Sequence, residues 1–223
     1  MTDFFDAVFF DMDGLTVDSE PQWLISEREV IAPFGYEWTQ EDQVACLGGP
    51  LEKLGDYMSQ KCNNIEQSAY FVDQLIKRQA ERMRTNTTVM PGAIELINSL
   101  KTNGVKTALV SASPGVIVEA VLENIGKDLF PFSISGDDVV RTKPDPEGYL
   151  KAALASQSNI ENCLVFEDSL PGMKAAVDSG AWLIAVPHMV QIEESERVRS
   201  IKSLSELSFE KLKELKANFS IEI

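Results

Sequence analysis

The sequence predicts an α/β fold: a parallel sheet flanked by helices, with an all-helical segment inserted after the first strand. Three observations carry this. From about Val89 onward, short apolar runs alternate with helical patterns. The interval from Pro21 to about Thr88 has helical spacing and no convincing strand. Four apolar residues, Ala7 to Phe10, run straight into Asp11-Met12-Asp13-Gly14. That is the pattern of a strand buried on both faces and ended by a polar turn.

The first strand therefore sets two carboxylates at its C-terminal edge. In an open α/β sheet, ligands bind at that edge. Two acids held so close repel without a cation, and Mg²⁺, a hard ion with a preference for oxygen, is the natural remedy. Next comes a helix over Trp23–Phe34, with Trp23, Leu24, Val30, Ile31 and Phe34 as its apolar set and Gly35 as its stop. Thr39 and Asp42 have capping-box spacing. Leu51–Lys61 and Gln67–Arg84 complete a bundle. A helical block at this position reads as a lid, which excludes water and adds specificity contacts, or as an extra packing layer. Its departure beside the acidic pair favours the lid.

The alternating half of the chain reads as follows. Lys106–Val110 is a strand, and Pro114–Ile125 a helix with Val118, Val121, Leu122 and Ile125 in register and Gly126 as its stop. Phe132–Ser135 is a short strand. Pro146–Ser156 is a helix with Tyr149, Leu150, Ala153 and Leu154 on one side. Cys163–Phe166 is a strand, Pro171–Ser179 a helix closed by Gly180, and Trp182–Val186 a strand. Ser205–Asn218 is an amphipathic helix on the core. Right-handed crossovers then bring all the strand C-termini to one edge.

Bulk properties narrow the function. The 223 residues suffice for one large domain or one domain with an insert, and 44% apolar and 25% charged residues are ordinary for a globular protein. The net charge of -15 with no basic cluster disfavours nucleic acid and anionic membrane as partners. It also repels a phosphorylated ligand at long range, so a phosphate site here must be local: a metal ion, a few basic side chains and backbone N–H groups. No apolar run approaches the roughly 20 residues of a membrane helix. The first ten residues carry Asp3 and Asp6 and no base, which argues against a secretory signal. Cys46, Cys62 and Cys163 are far apart and odd in number, so they read as reduced core thiols without zinc spacing. A cytoplasmic location is expected.

Three further clusters follow predicted strands. Ser111-Ala112-Ser113 can hold an anion with hydroxyls and backbone N–H groups, or cap the next helix. Lys143 sits in a loop stiffened by Pro144 and Pro146. Glu167-Asp168-Ser169 repeats the strand-then-carboxylate pattern, or caps the helix at Pro171. On one sheet edge, Asp11, Asp13, Ser111, Lys143, Glu167 and Asp168 can converge around a single metal ion.

In this order, the four clusters resemble the motifs of the haloacid dehalogenase superfamily of phosphotransferases. The resemblance spans essentially the whole chain, including a helical cap after the first motif. Asp11-Met12-Asp13-Gly14-Leu15, Asp18-Ser19-Glu20-Pro21, Ser111-Ala112-Ser113-Pro114 and Glu167-Asp168-Ser169 with Gly172 are similar to the branch holding β-phosphoglucomutase and the small sugar-phosphate phosphatases, hexitol- and 2-deoxyglucose-6-phosphate phosphatases above all. The resemblance implies a Rossmann-like core over residues 1–16 and 89–223 and a helical cap over 17–88. It implies that Asp11 attacks phosphorus to form an aspartyl-phosphate, and that Asp13 protonates the leaving alcohol and then deprotonates water. Mg²⁺ would be held by the carboxylates of Asp11 and Asp168 and the backbone carbonyl of Asp13, with Glu167 close by through water. Ser111, Ala112 and Lys143 would hold the phosphoryl oxygens, and Gly14 would let the chain turn beside them. Leu15–Pro21 would be a hinge-like flap, and Gly49, in Gly48-Gly49, a substrate-facing turn of the cap.

The expected reaction is hydrolysis of a small phosphorylated metabolite, a sugar or polyol phosphate first. A phosphomutase shares every core residue. However, β-phosphoglucomutase has a basic residue in the cap loop that corresponds to Leu47–Lys53, and here only Lys53 is basic and lies later. A dehalogenase needs neither a second acid nor Mg²⁺, so Asp13 and Asp168 argue against it. A non-catalytic binding protein would have lost one of Asp11, Asp13, Lys143 or Asp168. His188, the only histidine, follows a predicted strand near the same edge, but the chemistry does not require it. Trp23, Trp38 and Trp182 read as packing, and Arg141 as a surface residue. A complete site in one chain leads to a monomer as the expectation.

Overall fold

A computed structural model describes residues 4–46, 49–186 and 195–219. Its sheet starts with β1 (Ala7–Phe10), in which every residue is buried. A ribbon of β2 (Val17–Asp18) and β3 (Thr88–Val89) pairs antiparallel, Val17 with Val89 and Asp18 with Thr88. Between them lie α1 (Glu20–Ile31), α2 (Gln40–Cys46), α3 (Leu51–Lys61) and α4 (Ser68–Met83). The two passages to and from the helical block are thus zipped together. Two-residue strands carry no periodicity, so only the pairing reveals them.

The rest of the chain alternates. It runs α5 (Ala93–Thr102), β4 (Lys106–Val110), α6 (Gly115–Ile125), β5 (Ser133–Ile134), α7 (Glu147–Ala155), β6 (Leu164–Glu167), α8 (Leu170–Ser179), β7 (Trp182–Ala185), β8 (Val198–Ser200) and α9 (Phe209–Phe219). The sheet order is β5-β4-β1-β6-β7-β8, with every pair parallel. The chain builds outward from β1 through β4 to β5, then returns to the other side of β1 for β6. That reversal opens a crevice at the C-terminal end of β1.

The strands bury both faces, as the apolar runs predict. One face sets Val8, Phe10, Leu109, Leu164, Phe166 and Ile184 against α5 and α6. The other sets Ala7, Phe9, Ala108, Val110, Val165 and Leu183 against α7 and α8. The alternation is the period of two of a pleated strand. The helical block has its own apolar cluster, which includes Val30, Ile31, Trp38, Met58, Phe71 and Leu75. Cys46, Cys62 and Cys163 are free and buried. Among the described residues no helix is long and apolar enough to cross a membrane.

Several expectations need correction. Besides β2, β3 and the short α2, two elements have no counterpart in the sequence pattern. One is α5, although Leu96, Ile97 and Leu100 have amphipathic spacing. The other is β8, three residues long and fixed by pairing with β7. On α7, Tyr149 and Ala153 are buried, but Leu150 and Leu154 are 42% and 79% exposed. Ala152 takes the inward place instead, because small residues let the helix approach the sheet closely. Capping differs too. Neither Ser111 nor Ser113 caps α6, whose N-cap is Pro114; Asp137 accepts the Gly115 N–H instead. The Glu167-Asp168-Ser169 cluster does cap α8 as expected, through Ser169, which accepts from the Gly172 N–H. The Thr39–Asp42 box is present, with reciprocal bonds between the two. Arg141 is exposed and pairs with Asp145 at 2.8 Å.

Candidate active site

The crevice at the end of β1 collects side chains from four strand ends. Asp11 follows β1 directly and is 6% exposed. Its N–H donates to the Phe166 carbonyl, and the Thr16 hydroxyl donates to its carbonyl, so its backbone is fixed on both sides. Lys143, from the loop before α7, donates to Asp11 Oδ1, to Glu167 Oε1 at 2.6 Å and to the Val110 carbonyl at 2.9 Å. These three bonds engage all the protons of its ammonium.

Asp13 is held by hydroxyls. Ser19 Oγ donates to Oδ1 at 2.6 Å, and Ser113 Oγ and Ser111 Oγ donate to Oδ2 at 2.8 and 3.3 Å. Three donors fix the direction of its two oxygens. Ser111 also accepts from the Ser113 N–H, which rigidifies that loop. Ala112 stands exposed between them. Ser111, Ala112, Lys143 and Tyr149 line a small enclosed space beside the crevice.

Glu167 is the last residue of β6 and fully buried. Its Oε1 accepts from Lys143 and from the Tyr149 hydroxyl at 2.6 Å. Its Oε2 accepts from the N–H of Asp168 and from the N–H and hydroxyl of Ser169. Gly172 makes this placement feasible: a Cβ there would lie 1.9 Å from Glu167 Oε1. Gly14 plays the same part for Asp168. Its φ is +82°, and a Cβ would lie 2.1 Å from Asp168 Oδ2.

One oxygen from each of Asp11, Glu167 and Asp168 lies within 4.8 Å of the others. Burial pushes the Asp11 carboxyl well above its ordinary range, and Glu167 pushes it further, against the pull of Lys143. Burial and then Glu167 raise Asp168 to about 7. Burial works against the Lys143 charge, but Asp11 and Glu167 outweigh it and hold the ammonium above its usual range. A single ammonium does not balance these carboxylates. An all-oxygen donor set with excess negative charge fits a divalent cation. Asp11 and Asp168 could hold it, and Glu167, whose oxygens also accept from five donors, stands within reach of the same ion.

The expected residues Asp11, Asp13, Gly14, Ser111, Ala112, Lys143, Glu167 and Asp168 therefore gather at one edge. Gly49 does not join them. It is exposed, its N–H donates to the Cys46 carbonyl, and its nearest side chain is Lys53. Leu47, Gly48 and His188 lie outside the described residues. The sequence reading misses the orienting roles of Ser19, Ser113 and Tyr149. Both serines stand inside strings that carry the family resemblance. Tyr149 gives no such signal, since an aromatic residue at helical spacing looks like core.

A family model described as haloacid dehalogenase-like hydrolase matches residues 8–186. The chain belongs to that family. It is an enzyme of that hydrolase class, and several of its curated relatives are named phosphatases. Hexitol phosphatase B of Escherichia coli (strain K12) is 31% identical over 185 residues, 81% of this chain and 83% of the relative. Phosphorylated carbohydrates phosphatase of Thermotoga maritima is 30% identical over 180 residues, 78% of this chain and 82% of the relative. Among solved structures, β-phosphoglucomutase from Clostridium difficile superposes with a TM-score of 0.82 at 22% identity, covering 98% of this chain and 100% of that one. At that identity the likeness establishes the shared fold.

Proposed function

We propose that this hydrolase cleaves small phosphate monoesters, sugar or polyol phosphates first, with Mg²⁺ and through an aspartyl-phosphate on Asp11. The observation that carries the reading is the pairing of two aspartates with different surroundings. Asp11 is buried against Lys143 and Asp168, while Asp13 is fixed by three hydroxyls. The first suits a nucleophile and the second a proton shuttle. The curated relatives' names, hexitol phosphatase and phosphorylated carbohydrates phosphatase, support the substrate class.

In this reading a carboxylate oxygen of Asp11 attacks phosphorus as the ester P–O bond breaks. Asp13 gives its proton to the departing alkoxide. In the second half, Asp13 takes a proton from water, which attacks phosphorus. The Asp11 carboxylate is regenerated and orthophosphate leaves. As the Asp11 oxygen becomes part of the acyl phosphate, its negative charge moves onto the phosphoryl oxygens. The Lys143 N–H that faces Asp11 can follow that charge, beside Ser111 and the Ala112 backbone. Mg²⁺, held by Asp11, Asp168 and the Asp13 carbonyl, would neutralise charge on the phosphoryl group. Residues 17–88 act as the cap, with the β2–β3 ribbon and Leu15–Pro21 as its hinge, and residues 1–16 and 89–223 as the core. A monomer suffices, since every residue named comes from one chain.

The test is a screen of phosphorylated metabolites for Mg²⁺-dependent orthophosphate release. Sugar or polyol phosphates should be hydrolysed, and Asp11→Asn should lower kcat by more than about 10³-fold. Full activity in that variant refutes the nucleophile assignment. Conversion of β-glucose 1-phosphate in the presence of a bisphosphate primer would favour the phosphomutase instead.

A further inference from the structure

Lys143 is aimed into the crevice from a loop, residues 139–146, that belongs to no helix or strand. Its ammonium reaches Asp11, Glu167 and the Val110 carbonyl. A lysine stem is flexible and sets no direction of its own. The direction has to come from the backbone at its base, so something must hold that backbone still.

Glu147, the first residue of α7, does so. Its Oε1 accepts from the Val140 N–H and its Oε2 from the Arg141 N–H, both at 3.0 Å. An acid in the first turn of a helix ordinarily serves that helix's own N-terminus. Here both oxygens reach back seven and six residues across the loop instead, and Lys143 lies midway in the span they close. The Val140 N–H above all, then Lys151 and the Arg141 N–H, hold the Glu147 carboxyl down to about 2, against the effect of burial. The acceptor is therefore charged at neutral pH, which strengthens both bonds. Behind it, α7 is anchored on the sheet by Tyr149, Ala152 and Ala153. The other ties of the loop are weaker. The Arg141–Asp145 pair leaves 73% of the Arg141 side chain exposed, and such pairs contribute little. The Asp145 N–H donates to the Thr142 carbonyl within the loop itself.

We propose that Glu147 is a positioning residue: by clamping the Val140 and Arg141 N–H groups to the start of α7, it fixes the base of Lys143 and so aims the ammonium at the phosphoryl group. The inference rests on the phosphatase reading for what Lys143 grips. A glutamate that served only the stability of the loop would act independently of Lys143, and that is the point to test.

The experiment is a double-mutant cycle between Glu147→Gln and Lys143→Met. Glutamine keeps the size of the side chain but replaces one of its two acceptors with a donor. Orthophosphate affinity is measured by calorimetry with Mg²⁺ saturating for each variant, at about 10 °C, well below an ordinary melting range. It is joined by kcat and KM on whichever ester the wild type cleaves. Lys143→Met should weaken orthophosphate by at least about 10-fold, the effect of a lost hydrogen bond to a charged group. Glu147→Gln should weaken it by about 5–10-fold and lower kcat by up to roughly 10²-fold, as a misplaced group does. In the Lys143→Met background the same change should alter affinity by less than about 2-fold. Arg141→Gln, which removes the exposed pair and leaves the clamp, should stay within about 2-fold of wild type. Unchanged affinity in Glu147→Gln or in Lys143→Met overturns the proposal. So do additive losses in the double variant, which mean two independent effects, and an equal loss in Arg141→Gln, which means a fragile loop. If the chain lacking Lys143 does not fold, the comparison of Glu147→Gln with Arg141→Gln decides. If the wild type cleaves no ester but the coupling appears, the phosphatase reading falls and the role of Glu147 stands.

Discussion

Gly14→Ala tests the closest contact in the site. A Cβ at Gly14 would lie 2.1 Å from Asp168 Oδ2 and 3.0 Å from its Cγ. Restoring ordinary contact requires Asp168 to move by about 1 Å, and a displacement of that size at a reacting centre costs on the order of 10²-fold in rate. The backbone adds a second cost. Gly14 has φ +82°, and an alanine in that region costs roughly 1–2 kcal/mol. In a chain of this size that lowers Tm by about 2–8 °C. Gly104→Ala separates the two effects, because Gly104 has φ +74° and nothing within 4 Å of a Cβ. Both variants should lose similar thermal stability. Only Gly14→Ala should lose Mg²⁺ affinity in calorimetry and orthophosphate release on the best substrate. A Gly14→Ala enzyme with wild-type Mg²⁺ affinity and near-wild-type kcat would refute the placement of Asp168 as a metal ligand over Gly14.

Two other predictions concern stability. Glu27 is buried in the helical block, where the Trp38 indole N–H donates to it at 2.8 Å. Burial raises its carboxyl from 4.5 to about 7, against the pull of Trp38 and Arg28. The folded state then holds a proton that the unfolded chain releases between about pH 4.5 and 7, so this residue's contribution falls as pH rises through that window. The loss is at most about 3 kcal/mol. Glu27→Gln keeps an acceptor for Trp38 and should flatten the Tm–pH profile, with the variant more stable at pH 8; parallel profiles for the two proteins would count against it. Mg²⁺ should raise the Tm of the EDTA-treated enzyme, by the equivalent of about 2.7 kcal/mol at 100 times its dissociation constant. Asp168→Asn should abolish most of that rise, and an undiminished rise in the variant would place the cation elsewhere.

Much of this fold is legible in the sequence because its signals are local. β1, β4, β6 and β7 are short apolar runs bounded by turns, and parallel strands buried on both faces need little else. The helices of the inserted block follow from spacing and stops such as Gly35. Elements that depend on a partner escape such a reading. The β2–β3 ribbon joins residues 17–18 to 88–89, and its short segments have no pattern before they pair. The outward turn of Leu150 and Leu154 on α7 shows the limit of periodicity. Two faces of a helix can both look apolar, and the approach distance to the sheet selects the one with Tyr149, Ala152 and Ala153.

The same division runs through the site. Asp11, Asp13 and Asp168 are readable because each closely follows a strand, and Lys143 because two prolines stiffen its loop; parallel topology brings the strand ends together. Their residue types already specify oxygen ligands for a cation, a nucleophile and a positive charge for an anion. What the sequence could not decide is which oxygen faces which donor. Tertiary contacts gave Asp13 its three serine hydroxyls. They also made Glu167, which stays within reach of the same cation as Asp11 and Asp168, the acceptor shared by Lys143 and Tyr149. Chemical identity is carried by the residue, but hydrogen-bond allegiance depends on distances of a few ångströms between segments such as those of Asp13 and Ser113, 100 residues apart, and only the folded chain sets those.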